Sequence, residues 1–194
     1  MSIKIGIAGP VGSGKTSIIE QLTNILKEKY SLGIVTNDIY TTEDANYLKS
    51  HLDLESDRIV GVETGGCPHT AIRDDISANQ KAIEELEEKF NPDIIFVESG
   101  GDNLSATFSY ELIDYYMYVI DVAQGADIPR KKGAGLLFSD LLVVNKTDLA
   151  PHVEIDLESM ESDVKENRKN KPYIFLSKKD ESISKLQEWI EVLI

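Results

Sequence analysis

The sequence predicts an α/β fold in which a mostly parallel β-sheet is flanked by helices. Short apolar runs alternate with longer segments of helical periodicity, and strands that are apolar on both faces are typical of a parallel sheet covered by helices. Polar or charged residues follow most of these runs, at the edge of a parallel sheet where ligands bind. The chain has 194 residues, so we expect one domain that spans residues 1–194.

Seven apolar runs are predicted as strands. They are Ile3–Ala8, Leu32–Thr36, Arg58–Glu63, Asp93–Glu98, Tyr115–Val122, Leu141–Val144 and Tyr173–Leu176. Five segments between or after them are predicted as helices, and the longest has apolar residues spaced by three, four and seven. They are Ser17–Tyr30, Glu43–Leu52, Thr70–Phe90, Val153–Arg168 and Ser182–Leu193.

The net charge limits the classes of molecule that the protein is expected to bind. Twenty basic and 34 acidic residues give a charge of −14, which repels phosphate backbones and anionic lipids. We therefore expect no nucleic acid and no membrane as partners, and a polyanion only at a locally prepared site. Cys67 is the one cysteine, no apolar stretch reaches the length of a membrane span, and a phosphate-loop pattern begins at residue 9. These features predict a cytoplasmic protein without a leader peptide.

A glycine-rich loop lies between the first strand and the first helix. It reads Gly9-Pro10-Val11-Gly12-Ser13-Gly14-Lys15-Thr16 and matches Gly-x4-Gly-Lys-Ser/Thr. The glycines let successive amide N–H groups point inward, and the helix start adds its positive dipole end. Lys15 is expected to reach the β- and γ-phosphates, Thr16 to bind Mg²⁺, and Ser17 to belong to the same nucleotide site. The pattern predicts a P-loop nucleoside triphosphatase.

A second motif, Asn145-Lys146-Thr147-Asp148, follows the strand Leu141–Val144. The Asp148 carboxylate can accept hydrogen bonds from guanine N1–H and the 2-amino group, a donor pair that adenine lacks. Asn145 is expected to tie this loop to the phosphate loop, and the stem of Lys146 to cover the base. Ser177-Lys178, after the last strand, completes the predicted guanine pocket. Together with the phosphate loop, the motif favours GTP over ATP.

Three carboxylates at strand ends are candidates for the magnesium side of the site: Asp38, Glu98 and Asp121. Glu98 precedes Ser-Gly-Gly and is the preferred Mg²⁺ ligand with Thr16. Asp38 is the candidate that orients the attacking water, so Lys15, Asp38 and Glu98 form the predicted catalytic set. Asp121 is equally well a residue that only ends its strand. Because no glutamine or arginine finger is evident, we expect slow hydrolysis that depends on a partner or a dimer.

The segment Glu63-Thr-Gly65-Gly66-Cys67-Pro-His69 holds a thiol and an imidazole two residues apart. Such a pair suits Ni²⁺, Zn²⁺ or Cu²⁺, and a symmetric dimer would bring two pairs together to complete a four-ligand shell. A buried cysteine beside a helix-capping turn explains the same residues without a metal. The residues alone leave both interpretations open.

These motifs together resemble those of the nickel-delivering urease accessory GTPases of the SIMIBI class, over about residues 3–190. The resemblance is carried by the phosphate loop, by Thr36-Asn-Asp-Ile-Tyr-Thr41, by Glu63-Thr-Gly-Gly-Cys-Pro-His-Thr-Ala-Ile-Arg73, by Glu98-Ser-Gly-Gly-Asp-Asn-Leu-Ser-Ala-Thr107 and by Asn145-Lys-Thr-Asp-Leu-Ala-Pro151. It implies that GTP, Mg²⁺ and Ni²⁺ bind, and that Cys67 and His69 from two chains ligate nickel. It also implies a homodimer formed with GTP and nickel, and as partners the urease accessory proteins E, F and D (also called H) and apo-urease.

The resemblance further implies a switch that links nucleotide to metal, formed by Glu63, Gly65 and Gly66 and coupled to Gly100 and Gly101 after Glu98. Three alternatives remain open. They are a hydrogenase-type nickel-insertion GTPase, a small P-loop metabolic kinase with a phosphate acceptor, and a zinc-buffering or scaffold protein that binds nucleotide without hydrolysis.

Overall fold

The computed structural model describes residues 2–38, 41–66, 69–101 and 106–194. In these ranges seven strands form one sheet. They are β1 Ile3–Ala8, β2 Leu32–Asp38, β3 Ile59–Glu63, β4 Ile94–Glu98, β5 Tyr115–Asp121, β6 Leu141–Asn145 and β7 Tyr173–Phe175. The order is β3-β2-β4-β1-β5-β6-β7 and every pairing is parallel. The predicted parallel α/β sheet is confirmed, with β1 and its phosphate loop in the middle.

Seven α-helices lie in the described ranges. They are α1 Lys15–Leu26, α2 Glu43–His51, α3 Ser77–Phe90, α4 Ile128–Lys131, α5 Ala134–Phe138, α6 Leu157–Arg168 and α7 Ile183–Glu191. Short 3₁₀ turns occupy Ser56–Arg58, Val122–Gln124 and Thr147–His152. None of the helices in this part of the chain is both long enough and apolar enough to cross a bilayer.

The prediction of one continuous helix over Thr70–Phe90 is wrong. Thr70–Asp74 forms a π-helical turn that ends at Asp75, and α3 starts afresh at Ser77. Asp75 has non-helical backbone angles (φ −129°, ψ 85°), and its carboxylate accepts hydrogen bonds from the Ser77 amide (3.3 Å) and hydroxyl (2.7 Å). A short polar side chain that bonds the following backbone amides favours a helix start over a helix interior.

The predicted helix Val153–Arg168 also begins later than expected, at Leu157. The Asp156 carboxylate accepts a hydrogen bond from the Glu158 amide (3.1 Å) and so caps the first turn. The short helices α4 and α5 were not predicted, because four or five residues are too few to establish a helical period.

The core lies in two layers, one on each face of the sheet. Alternate residues of the central strands point to opposite faces, as the two-residue period of a strand requires. On one face Ile5, Phe96 and Val119 pack with apolar residues of α1 and α7. On the other face Val97 and Val144 pack with apolar residues of α3 and α6. This two-sided burial fixes the strands, and their carboxyl ends form the edge from which the functional loops emerge.

Candidate functional site

The phosphate loop connects the carboxyl end of β1 to α1. Gly12 and Gly14 have φ of +78° and +96°, in the left-handed region that favours glycine. Gly14 is the N-cap of α1 and supplies no side chain, and the first turn of α1 contains no acidic residue. The first amide N–H groups of α1 therefore lack an intrahelical acceptor and keep their positive dipole end for a bound anion.

The Lys15 side chain folds back over this loop. Its Nζ donates to the carbonyl oxygens of Gly9 (3.0 Å) and Pro10 (3.3 Å), and the residue is buried. The ammonium charge is thus held at the mouth of the loop without a carboxylate partner in the described hydrogen bonds. A phosphate that enters the loop meets this charge together with the backbone amides.

Thr16, Glu98 and Asp44 form an oxygen-rich cluster beside the loop. Thr16 Oγ1 donates to Glu98 Oε1 (2.7 Å) and lies 3.4 Å from Asp44 Oδ1. The other carboxylate oxygen of Glu98, Oε2, is buried and has no hydrogen-bond partner among the described residues. Hard oxygen donors with an unsatisfied carboxylate oxygen match the ligand preference of Mg²⁺. These residues fit the ion that the sequence implied.

Burial dominates the titration of Glu98. Burial raises the pKa of this carboxyl to about 7. The Lys15 charge and the Thr16 hydroxyl lower this pKa, whereas the Asp44 charge raises it further. Charge on Glu98 is therefore disfavoured until a cation or further positive charge enters the cleft.

Asp44 is a site residue that no sequence motif predicts. It lies in the first turn of α2, where an acidic residue is usually explained by the helix dipole. Packing of α2 against α1 and β2 brings it to the cleft, and Tyr47 and Lys178 line the same cleft, which has a volume of about 540 Å³.

The residues predicted to read the base surround the end of β6. Asn145 Nδ2 donates to the Ser13 carbonyl (2.8 Å), so the expected tie between the two loops is present. Lys146 has a left-handed backbone, and its Nζ donates to the Gly12 carbonyl and lies 3.2 Å from Asp121 Oδ2. Its stem is thereby held across the phosphate loop.

Asp148 presents its carboxylate next to Ser177 and Lys179. Ser177 Oγ donates to Asp148 Oδ1 (3.4 Å), and Lys179 Nζ lies 3.3 Å from Asp148 Oδ2. Ser177, which is predicted to complete the guanine pocket, therefore lies beside Asp148. Lys179 was not predicted and has an exposed side chain.

Asp121 caps the turn that follows its own strand, β5. Its Oδ1 accepts a hydrogen bond from the Ala123 amide (2.7 Å), and its backbone amide donates to Gln124 Oε1 (3.1 Å). Because Oδ2 also pairs with Lys146, the geometry assigns Asp121 a positioning role and not a place beside Thr16.

The segment Glu63–Gly66 starts beside Asp38. Asp38 and Glu63 are register partners of the parallel pair β2–β3, and the Thr64 amide donates to the Asp38 carbonyl (2.9 Å). Gly65 follows with φ +62°. His69 is described just before the π-helical turn, whereas Cys67 lies outside the described residues. The backbone thus connects the nucleotide cleft to the start of the predicted metal loop.

Gly100 and Gly101 follow Glu98 along the other side of the phosphate loop. The Ser99 amide donates to the Ile7 carbonyl (2.9 Å). A Cβ added at Gly101 would overlap the Val11 side chain, so this predicted switch glycine lies against the phosphate loop itself.

Known proteins resemble this chain in sequence. The family described as "CobW/HypB/UreG, nucleotide-binding domain" matches residues 3–175. The urease accessory protein UreG of Aliarcobacter butzleri strain RM4018 is 82% identical over 195 residues, with all of both chains covered. UreG of Lysinibacillus sphaericus strain C3-41 is 59% identical, with 97% of this chain and 91% of that protein covered.

Solved structures agree on the fold. The hydrogenase maturation factor HypB from Archaeoglobus fulgidus has a TM-score of 0.78 at 21% identity, covering 99% of this chain and 90% of its own. HypB from Helicobacter pylori in complex with nickel has a TM-score of 0.76 at 21% identity, covering 97% and 85%. At this identity the structures establish the fold, whereas the sequence relatives establish the group. The chain belongs to the CobW/HypB/UreG family of nucleotide-binding proteins, and within that family it groups with the urease accessory proteins UreG.

Proposed function

We propose that this protein is a GTP-hydrolysing metallochaperone that facilitates the incorporation of nickel into urease. The relatives at 59–82% identity are named as urease accessory proteins, which favours urease over hydrogenase as the destination. The geometry supports the GTPase part, because one cleft brings together a phosphate loop and an oxygen cluster suited to Mg²⁺, and Asn145 ties the base motif to that loop.

One structural relationship supports the proposed link between nucleotide and metal: Asp38 and Glu63 are register partners of β2 and β3. Asp38 lines the nucleotide cleft, and Glu63 begins the segment that leads to Cys67 and His69. Thr64 donates through both its amide and its hydroxyl to the Asp38 carbonyl (2.9 and 3.2 Å). A displacement of Asp38 would therefore also displace this segment.

The chain's own residues supply the following chemistry. The amides of the phosphate loop and the Lys15 ammonium bind and orient the β- and γ-phosphates. Asp38 orients the attacking water, and Asp148 with Asn145 and Lys146 holds the guanine. Thr16, Glu98 and Asp44 would hold Mg²⁺, which neutralises phosphate charge when bound. The expected intrinsic turnover is slow and rises with dimerisation or a partner.

Nickel is the cargo. Cys67 and His69 from two chains would supply four soft or borderline ligands at a two-fold axis. GTP-dependent closing of the two chains would capture the ion, and loss of the γ-phosphate contacts would release it toward apo-urease. The proposed partners are the accessory proteins E, F and D/H, in the cytoplasm. Nucleotide and nickel must then tighten each other's binding.

The test is a nickel titration of the protein loaded with a non-hydrolysable GTP analogue, GDP or no nucleotide, with mass measured by native mass spectrometry at each point. We expect a dimer that saturates at one nickel ion per two chains, with the GTP analogue only. Cys67→Ala and His69→Ala should abolish this species. His51→Ala and His152→Ala, which remove the other two histidines, are the matched controls.

Equal dimerisation and nickel affinity with GDP or without nucleotide would overturn the proposal. Phosphate release from GTP, measured with and without bicarbonate, nickel and partners, addresses the alternatives. Turnover that requires a phosphate acceptor would indicate a kinase. Zinc binding without any hydrolysis would indicate a buffering protein.

A further inference from the structure

Two asparagines form a closed amide pair beneath the nucleotide cleft. Asn37 Nδ2 donates to Asn79 Oδ1 (2.9 Å), and Asn79 Nδ2 donates to Asn37 Oδ1 (2.8 Å). The second proton of each amide goes outward, from Asn37 to the Glu98 backbone carbonyl (2.9 Å) and from Asn79 to the Ala71 carbonyl (2.9 Å). Both residues have no exposed surface. All four amide protons are therefore used.

The two outer acceptors fix the orientation of the pair. A backbone carbonyl can only accept, so turning either amide around would place an oxygen against an oxygen. Buried networks in which every donor and acceptor is satisfied are rigid, and they are costly to break because water cannot replace a lost bond. This pair consequently holds its two outer carbonyls at a fixed separation.

The two carbonyls belong to the two regions that the proposed function must couple. Glu98 ends β4 and its side chain accepts the hydrogen bond of Thr16. Asn37 immediately precedes Asp38 in β2. Ala71 lies in the π-helical turn that follows His69, and Asn79 lies in the first turns of α3. One amide pair thus joins the magnesium side of the cleft to the turn behind the predicted nickel ligand.

The backbone of the turn explains why Ala71 is available. In an α-helix the Ala71 carbonyl would accept from the Asp75 amide. Here Asp75 donates to the Thr70 carbonyl instead (2.8 Å), one residue further back. The carbonyl of Ala71 is left over by this π-type bond, and Asn79 takes it. Single π-type turns of this kind frequently occur at functional sites.

We propose that Asn79, paired with Asn37, is a positioning residue that transmits the state of the nucleotide site to the turn Thr70–Asp74 and hence to His69. This inference rests on the proposed coupling of GTP to nickel. A shift of the β4 end, when Glu98 and the Ser99–Gly101 segment meet a γ-phosphate, moves the Glu98 carbonyl. Because the amide pair cannot stretch, the Ala71 carbonyl and its turn move with it.

The first test uses Asn79→Leu, which keeps the shape but removes both donors. Hydrogen–deuterium exchange of peptides covering residues 69–79 is compared with and without a Mg²⁺-bound non-hydrolysable GTP analogue, in the absence of nickel. In the wild type we expect the nucleotide to slow exchange in this segment. In Asn79→Leu that response should vanish, while protection of α1 and the nucleotide Kd stay within about threefold.

Two further variants keep the test sharp. Asn167→Leu is the matched control, because the amide of Asn167, on α6, also donates to two backbone carbonyls, those of Pro129 in α4 (3.1 Å) and Asp163 in α6 (2.9 Å). Where Asn79→Leu fails to fold, Asn37→Leu/Asn79→Leu replaces both partners by apolar groups, a change that is often tolerated. Retention of the nucleotide response at residues 69–79 in either Asn79 variant would overturn the inference.

Nickel affinity provides the separate readout. In the wild type the GTP analogue should tighten nickel binding by at least about fivefold, the lower range of typical coupling, and in the Asn79 variants this factor should fall toward one. Absence of nickel coupling in the wild type would refute the proposed function, while the exchange experiment would still decide whether the amide pair connects the two segments.

Discussion

Thr16 Oγ1 donates a 2.7 Å hydrogen bond to Oε1 of Glu98, and this bond joins the first turn of α1 to the end of β4. It spans the place where the terminal phosphate of a bound nucleotide is expected. The other carboxylate oxygen of Glu98, Oε2, is buried and has no hydrogen-bond partner among the described residues. A carboxylate held on one oxygen and unsatisfied on the other is prepared for a cation, and its protonation must respond to the contents of the cleft.

The stability of the nucleotide-free protein should depend on the protonation of Glu98. Burial raises the pKa of Glu98 to about 7, whereas the unfolded chain loses this proton near the ordinary pKa. The folded state therefore binds more protons between these values, and the stabilisation is complete below the unfolded pKa and lost as the pH rises through about 7.

Glu98→Gln removes this dependence, because the amide stays neutral. The free energy of unfolding is measured by urea titration in EDTA at pH 5 and pH 8. Relative to the wild type, that of Glu98→Gln should rise by up to about 3 kcal/mol between these pH values, from roughly 1.4 kcal/mol per pKa unit. Glu84→Gln, which removes an exposed carboxylate of α3, is the control. The raised pKa would be contradicted if the difference in free energy of unfolding between the wild type and Glu98→Gln were the same at pH 5 and pH 8.

Thr16→Val should uncouple nucleotide affinity from magnesium. The change removes the hydroxyl that both donates to Glu98 and supplies a ligand for Mg²⁺. We expect GTP affinity to fall by about 10- to 100-fold in Mg²⁺, a typical effect of disturbing a metal's ligands and their hydrogen bonds, and to change little in EDTA. Fluorescent-nucleotide titrations in both buffers measure this difference.

Thr23→Val is the control on the same helix. Thr23 Oγ1 is buried without a partner among the described residues, so its replacement by a methyl group should leave nucleotide binding unchanged. It should also raise the free energy of unfolding by about 1 kcal/mol. Equal losses of Mg²⁺-dependent affinity in both variants would point to a general disturbance of α1.

The strands were predictable because their residues carry the information locally. Uninterrupted apolar runs such as those of β4 and β6 leave little choice other than buried parallel strands. The break between Asp74 and Ser77 was not predictable from periodicity, since Ile72 and Ile76 are both buried and keep the helical spacing. Polar contacts that a hydrophobic period does not record accompany the break: Asp75 bonds the Ser77 amide, and the Asn79 amide pairs with Asn37, 42 positions away in sequence.

The site shows the same division between local and long-range information. The phosphate loop and Asn145–Asp148 are contiguous motifs whose spacing alone predicts their chemistry. Asp44 reaches Thr16 across 28 positions, through the packing of α2 on α1, and Asp121 joins Lys146 across 25 positions. Contacts of this separation are fixed by the arrangement of the sheet, so only the fold distinguishes a ligand from a strand-end residue.

Alanine at Gly12 and at Gly14 should have different consequences although both positions have positive φ. Each substitution carries the strain of a left-handed alanine, about 1–2 kcal/mol. A Cβ at Gly12 meets no atom within 4 Å, whereas a Cβ at Gly14 overlaps Asn145 Nδ2.

Gly14→Ala must therefore also break the bond from Asn145 to the Ser13 carbonyl. We expect Gly12→Ala to lower mainly the free energy of unfolding, and Gly14→Ala to lower nucleotide affinity by at least a further tenfold. Urea unfolding and nucleotide titration of both proteins separate strain from displacement. Indistinguishable nucleotide affinities would show that the Asn145 tie is unimportant for binding.

Asp148→Asn should change which base the cleft accepts. A carboxylate at this position only accepts hydrogen bonds, which matches the N1–H and 2-amino donors of guanine, whereas an amide also donates and so matches the 2-oxo group of xanthine. Loss of a matched buried pair discriminates strongly because the site's polar group is left unsatisfied.

We expect GTP affinity to fall by at least about 100-fold and XTP affinity to rise, with ATP weak throughout. Competition against a fluorescent GTP analogue measures all three, with Asp53→Asn, a change of an almost fully exposed carboxylate, as the control. Because Ser177 and Lys179 also contact Asp148, unchanged preference for GTP in Asp148→Asn would mean that these neighbours, and not the carboxylate, read the base.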